Sequence, residues 1–256
     1  MKCKSCIFIV LIIFLGAIFV INRITEREKS KTRVYVQGAV YIDYFKDKKH
    51  SDMVMENIFR QVDPDILIMK QPVTFYTDFW SSFVQEISPA EKDSIINNCM
   101  NSIYQVRNKL GFDILPLKLW DMDVAQARKR IYSIYKDNPG FQVKVESYKE
   151  FNKIISQKIE ELNLKEDVFV LNVPMFDMLK EIETDYFTGL FDKELGSAGY
   201  DESDKRYIDK IEELIQENRR EKIMVMYNSN LKHKLIKRLE QNDNINVIRV
   251  AERKKK

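Results

Sequence analysis

The sequence predicts an α/β fold: a single layered domain with a central, mostly parallel sheet flanked by helices, preceded by an N-terminal transmembrane helix. Apolar runs of strand length alternate along the chain with longer segments in which apolar residues recur every three or four positions. Helices between strands act as crossover connections, and crossovers join parallel strands. Only seven Gly and six Pro occur in 256 residues, which argues against a loop-built or all-β protein.

The predicted strands are short apolar runs without polar alternation, which indicates burial on both faces of a sheet. The runs are RVYVQG, PDILIM, FDILPLKLW, DVFVLNV, EKIMVMY and INVIRV. We expect Val34–Gln37, Ile66–Met69, Val168–Leu171 and Ile223–Met226 to be the central strands. Pro116 weakens the middle of the third run, because proline cannot donate a ladder hydrogen bond.

The predicted helices each carry one apolar face. They are SDMVMENIFRQV, VAQARKRIYSIY, YKEFNKIISQKIEEL, YIDKIEELIQENRR and LKHKLIKRLEQN. A further helix begins with Ser88, Pro89 and Glu91 in capping-box order and ends at Gly111, a residue type common just past helix ends.

The N-terminal segment, residues 1–22, is predicted to be an uncleaved signal anchor. Its uncharged run, residues 7–21, is short of the roughly 20 residues that cross a hydrocarbon core but long for the core of a cleaved signal peptide, and no small-residue cleavage site follows. A charged linker (23–32), the α/β domain (33–250) and a basic tail (251–256) complete the chain. The expected location is a membrane, crossed once through residues 7–21; a cleaved segment would instead make the protein secreted.

The charge balance and the cysteines exclude two classes of protein. With 42 basic and 39 acidic residues, the chain has no strong field for nucleic acid, so no nucleic-acid partner is expected. Its three Cys residues supply no disulfide framework.

Ligands of a parallel sheet bind outside the carboxyl ends of the strands, so the residues there are the candidates for a site. The first strand is followed by Gly38 and Tyr41, the second by Lys70, the third by Asp121 and the fifth by Asn228 to Leu231.

The order and spacing of these segments resemble the TraB/PrgY/Tiki superfamily, which includes erythromycin-esterase-like and haem-uptake-like α/β proteins. The similar segments are QGAVYID, VDPDILIMKQ, LKLWDMDVAQARKR and EKIMVMYNSNLKHKL. Gly38, Pro64, Asp65 and Asp121 fit the family pattern. The resemblance covers most of residues 33–250 and implies a site where two His residues and a Glu hold a divalent cation that activates water.

This chain departs from the pattern at the implied ligands. Tyr41 stands at the first His position, Lys70 at the Glu position and Leu231 at the second His position, and Asn228 replaces the Gly of the last motif. A Lys adds positive charge where a cation would bind. The sequence therefore predicts a vestigial cleft without a metal or other cofactor.

Two alternative sites keep a reaction possible. His50 and His233 are the only His residues and could form a rearranged metal site, although their Lys neighbours favour exposed helix starts. Asp121 and Asp123 could act as an acid/base pair, but carboxylates at a helix start more often cap it.

A Tyr–Lys couple of Tyr41 and Lys70 is a third possibility, since an ammonium lowers the pKa of a nearby phenol; no nucleotide fingerprint accompanies it. Separately, FYTDFWSSFVQEI repeats Phe75, Phe79 and Phe83 along one helix face. That face suits core packing, a partner surface or a lid over the site.

The leading hypothesis is a membrane-anchored pseudoenzyme that works by binding a protein or peptide partner, or a ligand, in or near the vacated cleft. The alternatives are a metal-dependent hydrolase or protease with rearranged ligands, and a purely structural domain tethered to a membrane.

Overall fold

Five parallel strands form one sheet in the computed structural model, which describes residues 31–39, 48–70, 101–117, 121–162 and 172–250. The strands are β1 (Thr32–Ala39), β2 (Ile66–Lys70), β3 (Asp113–Leu117), β4 (Ile223–Asn228) and β5 (Ile245–Arg249). Their order across the sheet is β3-β2-β4-β1-β5. The predicted α/β class with a parallel sheet is confirmed.

Six of the seven helices in the described ranges were predicted from the sequence. The seven are α1 (Lys48–Val62), α2 (residues 101–110), α3 (Asp121–Tyr135), α4 (Pro139–Glu161), α5 (Pro174–Leu195), α6 (Tyr200–Glu217) and α7 (Lys232–Glu240), with a 3₁₀ turn at Gly196–Ala198. Gly111 follows α2, as predicted, and its φ of 83° is the left-handed conformation common at that position.

The centre of the sheet is formed by apolar strands. Val34–Gln37 and Ile66–Met69 both pair with β4, whose residues Ile223–Met226 lie between them, so three of the four predicted central strands are confirmed as strands. Residues 168–171, the fourth, lie outside the described residues. Pro116 is accommodated in β3 because β3 is the last strand at its end of the described sheet.

Two apolar layers sandwich the sheet. On one face α1 and α2 pack through Ile58, Phe59 and Ile103 onto Leu67 and Met224. On the other face α6 and α7 pack their apolar residues onto the alternate side chains of the strands, among them Val34, Val36, Ile68, Ile223 and Val225. Burial on both faces explains why these strands read as continuous apolar runs.

Helices α3, α4 and α5 form an insertion between β3 and β4 with apolar clusters of its own. Phe141 and Tyr148 of α4 pack on Phe187 and Phe191 of α5, with ring centroids 5.3 to 6.3 Å apart. The sequence predicted α3 and α4, but α5 was not predicted. Its four-residue apolar spacing, from Phe187 to Phe191 to Leu195, is interrupted upstream by polar residues that are nevertheless buried, such as Glu183.

No helix within the described ranges is long and apolar enough to cross a membrane. The predicted anchor, the aromatic segment at residues 75–87 and the basic tail all lie outside those ranges, as does most of the linker.

Candidate functional site

The crevice of this sheet lies between the carboxyl ends of β1 and β4. The connection after β1 leads past β4 to β2 through α1, whereas the connection after β4 leads past β1 to β5 through α7. Helices α1 and α7 cover opposite faces, so the two chains diverge where Ala39 pairs with Asn228. In open α/β sheets, ligands bind at such a topological switch point.

A buried amide cluster fills the β1 side of this crevice. The backbone N–H of Gly38 donates to Asn172 Oδ1 at 2.8 Å, and Asn172 Nδ2 donates to Gln37 Oε1 at 3.1 Å. Gln37 Nε2 in turn donates to the Gly38 carbonyl at 2.8 Å. Both side chains are 1% exposed. Since Asn172 lies just before α5, the helical insertion reaches the sheet edge and satisfies polar groups of β1 there.

A buried ion cluster lies where α7 begins after β4. Lys232, the first residue of α7, is completely buried, and its Nζ lies 2.6 Å from Oδ1 of Asp177 on α5. Among the described residues, neither atom makes a hydrogen bond of regular geometry, so the contact is an ion pair. Arg249 Nε of β5 lies 3.4 Å from the other carboxylate oxygen. One carboxylate of the insertion thus pairs with two cations of the sheet domain, and Arg249 pairs with Glu240 as well.

Burial sets the proton affinity of Lys232. Removal from water lowers the pKa of this ammonium, because burial penalises the charged form. The negative charge of Asp177, in contact with the ammonium, acts in the opposite direction, and Arg249 adds a smaller lowering. Asp177 is therefore needed to hold a charged lysine inside the protein.

His233 is buried beside this cluster, at 4% exposure, and neither ring nitrogen has a hydrogen-bond partner within the described part of the chain. The expectation of an exposed helix start was wrong for this residue. The physical reason is α5, which the sequence did not predict and which packs against α7. Burial is also the main reason why the pKa of His233 is lowered.

The structure places four of the sequence-predicted site residues as follows. Gly38 in β1, Lys70 at the end of β2 and Asn228 at the end of β4 lie along the carboxyl edge of the sheet. Asn228 is exposed and accepts a hydrogen bond from the Asn230 N–H at 2.9 Å, which shapes the turn. Leu231 is buried in the core formed by α6 and α7.

The remaining predicted residues are placed only by their backbone or not at all. Helix α3 begins at Asp121 and includes Asp123, whereas His50 lies in the first turn of α1. The side chains of these residues, that of Lys70 and the whole of Tyr41 lie outside the described residues.

The site residues that sequence reasoning missed are Asn172, Asp177 and Arg249. Asn172 and Arg249 lie inside predicted strands, where polar side chains were not singled out, and Asp177 lies in a segment for which no element was predicted. An Asp surrounded by apolar residues, in the run MFDML, is the sequence signal that could have identified Asp177.

No group of three or more His, Cys, Asp or Glu suited to a metal ion occurs in the portion of the chain that the structure describes. A separate pocket of about 450 Å³ lies beside β3, lined by Met69, Tyr104, Arg107, Asp113 and Pro116 among others. Its charged groups, Arg107 and Asp113, lie 3.8 Å apart and are largely exposed to solvent.

Comparison with known proteins identifies no relative. Neither a protein-family model, nor a curated protein, nor a solved structure matches the chain.

Proposed function

We propose that this protein is a membrane-anchored, catalytically inactive TraB/Tiki-like domain that acts by binding a protein partner. The observation that carries this proposal is the occupied switch point. Asn172 and Asp177 of the insertion are bonded to Gly38 of β1 and to Lys232 and Arg249. A substrate at this edge would have to displace contacts that satisfy buried polar and charged groups.

Leu231 supports the same proposal from the other side of the crevice. It stands at the position where the resembled family carries its second His, and its side chain is committed to the apolar core. A leucine at this position serves the packing of the core and no metal ion. An imidazole in its place would bury a polar ring among aliphatic side chains.

The surface proposed for partner binding is an apolar flank of α4 and α5. Met175, Met178 and Ile182 follow one another at three- and four-residue spacing on α5 and are 45% to 46% exposed, and Ile154 of α4 is 60% exposed. The neighbouring pair Phe151–Tyr186 stacks at 4.1 Å, which shows that these sides of the two helices adjoin. Exposed Met and aromatic side chains are typical of surfaces that bind other proteins.

The first test separates an inactive protein from an enzyme. Purified full-length protein, titrated with zinc or manganese, should bind neither ion more tightly than a surface-site control protein, and should show no metal-stimulated hydrolysis of peptides or esters. Tight, stoichiometric metal that is lost on His50→Ala or His233→Ala would overturn the proposal in favour of a hydrolase with rearranged ligands.

The second test concerns the flank. Proteins crosslinked to the full-length chain in its native membrane should be compared between the unmodified protein, a Met178→Lys/Ile182→Lys double variant and an Ile134→Lys control. Ile134, on α3, is 63% exposed and therefore matches the flank in apolar exposure. A partner that disappears only from the double variant is the expected result. An identical set of crosslinks from all three would contradict partner binding by this surface.

A further inference from the structure

The contact between α5 and α7 contains a titratable group that the proposed function does not use. His233 lies at the second position of α7, buried, with both ring nitrogens lacking hydrogen-bond partners among the described residues. Buried polar groups in proteins are nearly always paired, so an unpaired imidazole at an interface calls for an explanation. Neutral imidazole tolerates this position, whereas an imidazolium would be a buried charge.

The charges around His233 come from both helices and from the strand behind them. Helix α5 contributes Asp177 and Glu181, and α7 itself contributes Lys234 and Lys237. Each acid is already paired: Asp177 with Lys232 and with Arg249 of β5, and Glu181 with Lys237. Lys234 lies 3.6 Å from Asp204 of α6.

We propose that His233 is a pH-sensitive latch: its protonation loosens the docking of α5 on α7 and releases the helical insertion from the carboxyl edge of the sheet. The insertion is held there by the Asp177 ion cluster and by Asn172, and the imidazole lies beside the first of these. A new positive charge among Lys232, Lys234 and Lys237 disturbs the contact, because the neighbouring acids are already neutralised.

The direction of the pH effect follows from linkage. Burial lowers the pKa of His233 in the docked state below its ordinary value of 6.5, so the released state binds the proton more readily. Docking is therefore at full strength above pH 6.5 and weakens as the pH falls below it. The loss is complete once the pH has passed below the lowered pKa of the docked state.

The experiment is hydrogen exchange on the full-length chain between pH 7.5 and 5, with rates corrected for the intrinsic effect of pH. Exchange in α5 and α7 should accelerate below pH 6.5, by at most about tenfold per pH unit, the limit for one proton. Exchange in β2 and β4 should stay constant.

The chain supplies its own control, since its only other histidine is His50. His233→Leu should abolish the acceleration, and His50→Leu should leave it unchanged. Equal acceleration in the His233→Leu protein, or none in the unmodified protein, would overturn the proposal.

A second measurement uses the unmodified protein and does not require His233→Leu to fold. Nuclear magnetic resonance titration of the two imidazoles in unmodified protein reports each pKa directly. His233 should titrate well below 6.5; titration at or above that value would refute a latch that depends on burial.

Discussion

Asp177 is the residue on which the contact between the insertion and the sheet domain depends. It faces Lys232, which has no exposure to water, and Arg249, which is one-third exposed at its side chain. A buried ion pair adds little net stability compared with apolar residues, but breaking one leaves a charge without compensation. The cost of losing Asp177 is therefore set by the lysine left behind.

Replacing Asp177 by Ala should lower the free energy of unfolding by about 3–5 kcal/mol, measured by equilibrium urea unfolding. The matched control is Asp185→Ala, an exposed carboxylate on the same helix, expected to change it by less than about 0.5 kcal/mol. An Asp177→Leu/Lys232→Met double variant should recover most of the lost free energy of unfolding, because it removes both charges of the pair. Equal effects of Asp177→Ala and Asp185→Ala would show that the ion cluster does not hold the fold together.

Helix α5 illustrates how an element can carry polar residues on its buried face. Glu183 accepts hydrogen bonds from Tyr148 at 2.9 Å and from Asn152 at 2.6 Å, and pairs with Lys180 at 2.7 Å. This polar layer separates the two apolar clusters between α4 and α5. Because Tyr148, Asn152 and Lys180 all bind the Glu183 carboxylate, this layer fixes the register of α4 against α5.

Replacing Gly111 and Gly189 by alanine should change the free energy of unfolding in opposite directions. Gly111 has φ 83°, where a Cβ is strained although nothing lies within 4 Å of it, so Gly111→Ala should lower the free energy of unfolding by about 1 kcal/mol. Gly189, inside α5 with equally open surroundings, is the control. Gly189→Ala should raise it by about 0.5–1 kcal/mol. Equilibrium urea unfolding of both variants measures these changes. A higher free energy of unfolding for Gly111→Ala would contradict the argument from its backbone conformation.

The whole molecule is predicted to be tethered to a membrane through residues 7–21. Full-length protein should sediment with membranes and resist high salt and carbonate, because a long apolar segment stays in the hydrocarbon core. A chain shortened to begin at Lys29 should be soluble under the same conditions. A mature N terminus found beyond Asn22 would instead identify the segment as a cleaved signal and the protein as secreted.

The fold class followed from local patterns, and the site did not. The runs at Val34–Gln37, Ile66–Met69 and Ile223–Met226 specify buried parallel strands because the sheet is covered on both faces. The carboxyl ends of β1, β2 and β4 were correctly expected to share one edge. These patterns did not predict which side chains occupy that edge.

Sequence by itself determined the five strands that the structure describes and most of the described helices, since periodicity and caps act over a few residues. Only the tertiary structure decided that Asn172 would bond to Gly38, 134 positions away, and that Asp177 would lie against Lys232 and Arg249. It also decided that His233 would be buried under a helix that the sequence did not predict. Burial and ion pairing depend on which elements pack together, and that choice is made by the whole core, not by any local stretch of residues.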